Sequence, residues 1–397
     1  MTTNRMTRRR MLGAMGAAGA LAALPSCRKP SGSGGGRVSV GLVIPQAGVY
    51  APHGIDMKRG WDLWLERHGG KLGGREVATV VADEGESPTT GVPAVQKLLQ
   101  GEQVDVLVGI VSSAVALGCK DMIAEAKKLL IVANAGAGAI TGKSRTPYIW
   151  RSSFTNAQVS SVMGAHLAKV GAAGPVYLLA PDYAAGDEAM GGFKKKFVEG
   201  GGQIAGEAKP AFGKTQDYQP FLARIRSSGA KATFCFFSGG EAVAFVKQYA
   251  QFGLARDIPL YASGFLTEGS VLHAQGDAAI GIQTTLHYST ELDIPANREF
   301  VAAHRAKYSA APTVFTVQTW DAAAVLDRAL GSASGLDGDS LARALESVGS
   351  IEDSPRGPWQ FDGQSPRQKF YLRKVEKRGS GYVNAVVADL GVTAPVA

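Results

Sequence analysis

Two adjacent hydroxyls, Ser112 and Ser113, stand between a β-branched run, Val104–Val108, and a helical pattern, Ala114–Lys127. That position is the N-terminal end of a helix, where free backbone N–H groups and the helix dipole favour an anionic head group. A plain N-cap that binds nothing accounts for the pair equally well. The loop Asn134-Ala135-Gly136-Ala137 ends another apolar run, Leu129–Ala133. Its small side chains either let a ligand approach the backbone or simply make a strand-to-helix turn. Phe237 and Ser238 close a third run, Thr233–Phe237, and Phe237 suits a core as well as a pocket wall.

Bond-breaking chemistry has less support. The chain has no G-x-S-x-G elbow, no phosphate-binding G-x-x-x-x-G-K-[ST] loop and no complete G-x-G-x-x-G, since Gly136-Ala137-Gly138 lacks its closing glycine. An enzyme stays open as a rival because α/β folds host many. The six His residues show no metal-ligand spacing, and no cofactor motif is present, so neither a metal nor a cofactor is expected. Cys119 and Cys235 fall on a predicted helix and a predicted strand and are read as buried apolar residues rather than a bridge. Lys194-Lys195-Lys196 fits a solvated helix face, with no interleaved aromatics to stack bases, so nucleic acid is not an expected partner.

At the N-terminus, Thr7-Arg8-Arg9-Arg10-Met11-Leu12 precedes a Gly/Ala-rich apolar run ending in Leu24-Pro25-Ser26-Cys27. The stretch resembles a twin-arginine export signal fused to a bacterial lipoprotein cleavage box, which implies lipidation of Cys27 and a periplasmic or cell-surface location. Met11–Ser26 is too short and too rich in Gly and Ala to cross about 30 Å of hydrocarbon. Ser31–Gly36 reads as a flexible tether. The formal charge of +8 falls to +4 once Arg5, Arg8, Arg9 and Arg10 are set aside, so much of the basic character belongs to the signal.

The elements that must position these residues alternate from Val38 onward between short β-branched runs and amphipathic helices, the rhythm of parallel sheets with crossover helices. Further strands are expected at Val38–Ile44, Val77–Ala82, Val176–Leu179 and Leu260–Ala262, and helices at Ala296–Tyr308 and Val317–Ala329. Met57, Trp61, Trp64 and Leu65 share one helical face and are expected in the core. This much pattern exceeds one open sheet, so two α/β lobes are predicted, the first from Val38 to about Trp150 and the second beginning near Asn156. Antiparallel strands at Phe370–Val375 and Tyr382–Val387, joined at Gly379-Ser380-Gly381, close the chain.

Taken together, several motifs carry a resemblance. They are Gly41-Leu-Val-Ile-Pro45 with Gly54, Asp83 after the second strand, Val104–Gly109 leading into Ser112-Ser113, Arg151 with Gln158, Asp182-Tyr183 with Gly186, and Gly276 with Gly281. In this order and spacing, Val38–Val387 resembles the leucine/isoleucine/valine-binding family of type I periplasmic solute-binding proteins, the capture subunits of ABC importers. The resemblance implies an α/β fold of two doubly wound parallel-sheet lobes joined by a multi-strand hinge, with the ligand trapped in the cleft by hinge closure. It implies boundaries at 1–27 (signal), 28–37 (tether), 38–155 completed by about 289–345, and 156–288 completed by about 346–390. It further implies a monomer with a small carboxylate as ligand and membrane permease subunits as partners.

Family positions give Ser112 and Ser113 a carboxylate-holding role, Asn134, Ala135 and Gly136 main-chain contacts, and Tyr183 a ring that covers the ligand. Tyr183 as a packed surface aromatic is the competing account. Glu268 lies near the acid that pairs with an ammonium in amino-acid binders, although an exposed helix-capping carboxylate is the favoured reading. Tyr50 and His53, Leu292–Asn297, and Ser354-Pro355-Arg356-Gly357-Pro358 leading to Phe361-Asp362 resemble relatives that collect aromatic acids. A sensor lobe acting through a separate protein is the remaining rival.

Overall fold

The computed structural model describes residues 36–171 and 174–396; the predicted signal and Cys27 lie outside them. The first lobe opens with β1 (Arg37–Ile44), α1 (Ala51–Arg67), β2 (Lys71–Leu72), β3 (Arg75–Asp83), α2 (Pro88–Gln96), β4 (Val106–Gly109), α3 (Ser113–Ala126), β5 (Leu129–Val132) and β6 (Ile149–Arg151). The second follows with α4 (Asn156–Val170), β7 (Val176–Leu179), α5 (Ala184–Glu199), β8 (Ile204–Ala208), α6 (Gln219–Ser227), β9 (Ala232–Cys235), α7 (Gly239–Gln251), α8 (Leu254–Asp257), β10 (Leu260–Ser263), α9 (Ser270–Gln275) and β11 (Gln283–Leu286). The chain then returns through α10 (Pro295–Tyr308), α11 (Val314–Ser332) and α12 (Gly338–Glu346) before β12 (Ser350–Ile351), β13 (Trp359–Asp362), β14 (Ser365–Arg378) and β15 (Gly381–Thr393).

One six-stranded sheet has the order β2-β3-β1-β4-β5-β6, and a nine-stranded sheet runs β12-β13-β14-β11-β10-β9-β7-β8 with β15 on β14. Every residue of β4, β5, β7, β9 and β10 is buried, as strands covered by helices on both faces must be. The second sheet is parallel from β8 to β11 and antiparallel from β14 onward. Its closing strands are longer than predicted, because β14 is paired on one side by β11 and on the other by β15. The chain passes between the sheets after β6, after β11 and after α12, so the lobes are joined by three crossings.

Helix α11 returns to the first lobe and packs on α1. Met57, Trp61 and Trp64 supply that buried face, with Trp61 Nε1 donating to Thr79 Oγ1 at 2.8 Å and the Trp64 ring edge-on to Trp320. Cys119 and Cys235 are both buried and unbridged. Among the described residues no helix is long and apolar enough to cross a membrane.

Candidate functional site

The first-lobe wall of the cleft begins where β4 ends. Ile110 takes a left-handed turn (φ 67°), which brings Val111, Ser112 and Ser113 to the carboxyl edge of the sheet. The two hydroxyls then part. Ser112 Oγ accepts the Val115 N–H at 3.4 Å and caps α3, while Ser113 faces the cleft and its Oγ accepts the Ala137 N–H at 3.1 Å. Asn134 and Gly136 line the cleft from the loop after β5. A Cβ on Gly136 would lie 2.2 Å from Asn156 Oδ1, so the bare glycine admits that amide. Ala135 turns inward, buried between its own N–H bond to the Ile110 carbonyl and the Arg151 guanidinium on its carbonyl.

The second-lobe wall is built from two helix starts. Tyr183 precedes α5 and Ser238 precedes α7, and neither side chain caps its own helix. Ser238 Oγ instead lies 2.8 Å from His53 Nε2 across the cleft, and the Tyr183 and Tyr50 hydroxyls are 3.4 Å apart. Burial pushes the His53 imidazole down to about 3, so it stands neutral, and raises both tyrosine hydroxyls. Gly239 approaches the first lobe so closely that a Cβ there would lie 2.3 Å from the Val49 carbonyl oxygen.

Six rings complete the walls: Tyr50, Phe154, Tyr183, Phe236, Phe265 and Phe315. The cavity between these walls is about 30 Å³, the space of about two water molecules. No Asp, Glu, Lys or Arg is among its lining residues. Sequence reasoning did not assign Val111, Phe154, Asn156, Ala185, Phe236, Phe265 or Phe315 to this wall. Phe154, Phe236 and Phe265 follow the ends of β6, β9 and β10, where the strand-end rule would have found them. Phe315 starts a helix that follows no strand, and nothing local marks it.

Besides Ser112 and Ala135, two further predicted residues lie away from the cleft. Phe237 belongs to a separate core, stacked on Phe245 at 4.7 Å and edge-on to Tyr218, while its neighbour Phe236 reaches the cleft. The expectation of an exposed capping carboxylate at Glu268 also needs correcting, because the residue is buried. Its Oε2 accepts from Arg373 Nη1 at 2.9 Å and its Oε1 from the Val314 N–H at 2.8 Å. It lines a different cavity of about 450 Å³ together with Asp56, Arg305 and Thr313.

Between the lobes the crossings are fastened by buried guanidinium groups. Arg151 donates to the Ala135, Ala137 and Phe154 carbonyls. Arg356 donates to the Ser152 and Ser153 carbonyls and to Gln368 Oε1, and its Nε lies 2.9 Å from Asp321 Oδ2 at an angle better suited to an ion pair than a hydrogen bond. Asn134 joins this layer, its Nδ2 donating to Gln318 Oε1 at 2.7 Å.

Known proteins share this arrangement. Residues 37–380 match the periplasmic binding protein family. A Leu/Ile/Val-binding protein homolog 6 from Brucella melitensis is 33% identical over 352 residues, covering 87% of this chain and 89% of the relative. The crystal structure of an ABC-transporter solute-binding protein from R. palustris in complex with benzoate is 37% identical, with a TM-score of 0.83 over 90% of this chain and 98% of that one. Another, from Rhodopseudomonas palustris BisB5 in complex with 3,4-dihydroxybenzoic acid, is 32% identical, with a TM-score of 0.82 over 89% of this chain and 97% of that one. With two α/β lobes, a cleft at the strand ends and these relatives, the chain belongs to the periplasmic binding proteins, as an ABC-transporter solute-binding protein of the Leu/Ile/Val-binding type.

Proposed function

We propose that this protein captures a small aromatic carboxylate outside the cytoplasm and presents it to the membrane subunits of an ABC importer. The observation that carries the ligand class is the composition of the cleft: six rings, neutral hydroxyls and amides, and no acid. Rings stack on an aromatic ligand, and hydroxyls with helix N-terminal amides suit its carboxylate. A branched-chain amino acid would leave its ammonium buried without a counter-charge, which is costly. Glu268 offers none, being held by Arg373 and Val314. Ser113, Asn134, Gly136, Tyr50, Tyr183 and Ser238 are the contacts in this reading, with Asn156, Phe154, Phe236, Phe265 and Phe315 added to them.

A cavity of about 30 Å³ admits no aromatic ring until the lobes part, so capture proceeds by opening and closing about the three crossings. The binder is a monomer without catalytic activity, held at the membrane through lipidated Cys27. Cys27→Ser is expected to leave ligand binding intact and to move the protein from the membrane to the soluble fraction. Calorimetry of the mature chain with benzoate, 4-hydroxybenzoate, leucine, isoleucine and valine tests the ligand class. Benzoate-type acids are expected to bind and the amino acids not; the reverse pattern overturns the aromatic reading and leaves solute capture standing.

A further inference from the structure

One buried carboxylate belongs to neither the cleft wall nor the hinge. Glu84, in the loop after β3, is fully buried. Its oxygens accept the Val111 N–H at 2.8 and 3.0 Å and also the Ser112 N–H. These amides lead directly into α3, and Val111 and Ser113 on either side of Ser112 line the cleft. Glu84 therefore stands immediately behind the wall that, in the proposed function, receives the ligand carboxylate. Among the described residues no cation acts on its carboxyl group, whose hydrogen-bond donors are the Val111 and Ser112 amides.

We propose that Glu84 holds a proton whenever a carboxylate ligand occupies the α3 end of the cleft, so that the ligand is the only full negative charge there. This rests on the aromatic-carboxylate reading for the nature of the ligand. Two carboxylates sharing one buried corner without a cation cannot both ionise cheaply. The groups that act on Glu84 do not relieve this: Asp83, the last residue of β3, adds a like charge, while Cys119 on α3 and Tyr50 at the start of α1 are raised first by burial and further by Glu84. Burial already pushes Glu84 up to about 8, against the opposing amide bonds from Ser112 and Val111. A ligand carboxylate raises it further. Below that range Glu84 is protonated before the ligand arrives and binding needs no proton; above it, binding must draw one from solvent and weakens as pH rises.

Benzoate is the probe. Its Kd is expected to be flat from about pH 6 to 7 and to rise about tenfold between about pH 7.5 and 9. Calorimetry at the upper pH in two buffers of different ionisation heat should show close to one proton taken up per benzoate. Glu84→Gln, which mimics the protonated side chain, is expected to abolish both effects and bind at pH 9 as the wild type binds at pH 6. A wild-type Kd that stays constant with no proton uptake overturns the proposal, and it remains decisive if Glu84→Gln does not fold. Separately, carboxyl-labelled glutamate in the ligand-free protein is followed by NMR. A resonance titrating near 8 that disappears in Glu84→Gln supports the assignment, and the absence of any glutamate titrating above the ordinary range overturns it. If benzoate binds at no pH, the aromatic reading fails and the carboxyl titration alone decides the role of Glu84.

Discussion

The cleft walls carry hydroxyls, amides and rings, whereas the neighbouring hinge buries Arg151, Arg356, Asp321, Arg373 and Glu268. At the hinge the chain supplies nearly every partner itself: carbonyls for Arg151, carbonyls and a carboxylate for Arg356, and Glu268 with the Tyr288 and Gly264 carbonyls for Arg373. Such groups hold one geometry, since each would be costly to strand. At the cleft the lining side chains are neutral, with no Asp, Glu, Lys or Arg among them. Buried charge is thus concentrated where the crossings meet and is absent from the lining of the cleft.

The contrast breaks most severely at Arg356. Arg356→Met strands the Asp321 carboxylate and unties the Ser152 and Ser153 carbonyls, and losing one partner of a buried pair costs about 3–5 kcal/mol. Urea unfolding should show that fall, and an additional Asp321→Leu should recover much of it; an unchanged midpoint would mean the hinge does not depend on its charges. On the cleft side, Ser113→Ala removes a hydroxyl aimed at the ligand's charge. Hydrogen bonds to charged groups are worth roughly 1.5–3 kcal/mol, so benzoate affinity should drop about tenfold or more, with a stability loss of about 1–3 kcal/mol because the buried Ala137 N–H loses its acceptor. Wild-type affinity in that variant would take Ser113 out of the site.

Glu268→Gln sharpens the comparison because it alters a hinge-side acid that family position would bring near the ligand's ammonium and that the sequence otherwise reads as an exposed helix cap. Expected is a stability loss of about 1–3 kcal/mol from weakening the Arg373 pair, together with benzoate affinity within about threefold of wild type. A larger loss of affinity would return Glu268 to the ligand. Ser112→Ala carries the smallest effect, about 1 kcal/mol of stability from the lost helix cap. Its affinity for benzoate should not change, and a tenfold loss would show that the two serines act together.

The lobes and their parallel strands were legible because buried parallel strands are continuous apolar runs, and β4, β5, β7, β9 and β10 were each anticipated to within one or two residues. The strand-end rule likewise pointed to Ser113, Asn134, Gly136 and Ser238, and the family resemblance to Tyr183; all five line one cleft. It failed by a single residue at Phe236 and Phe237, since side chains at a strand end alternate faces and a shift of one exchanges cleft for core. Glu268 was illegible for another reason. Its partner Arg373 lies 105 positions away on an antiparallel strand, and nothing local to either residue announces the pair. The hinge guanidinium network is hidden the same way, because its partners are main-chain carbonyls that carry no residue-type signal.

Gly239 has a consequence for how such a molecule could be held in one state. Its left-handed backbone (φ 59°) and missing side chain let the second lobe settle against the Val49 carbonyl. Any larger residue there would act as a doorstop, its first carbon meeting a peptide oxygen at a distance no atom pair tolerates. A single methyl group there would have to push the Gly239 and Val49 backbones apart, so the close approach of the two lobes depends on one absent side chain.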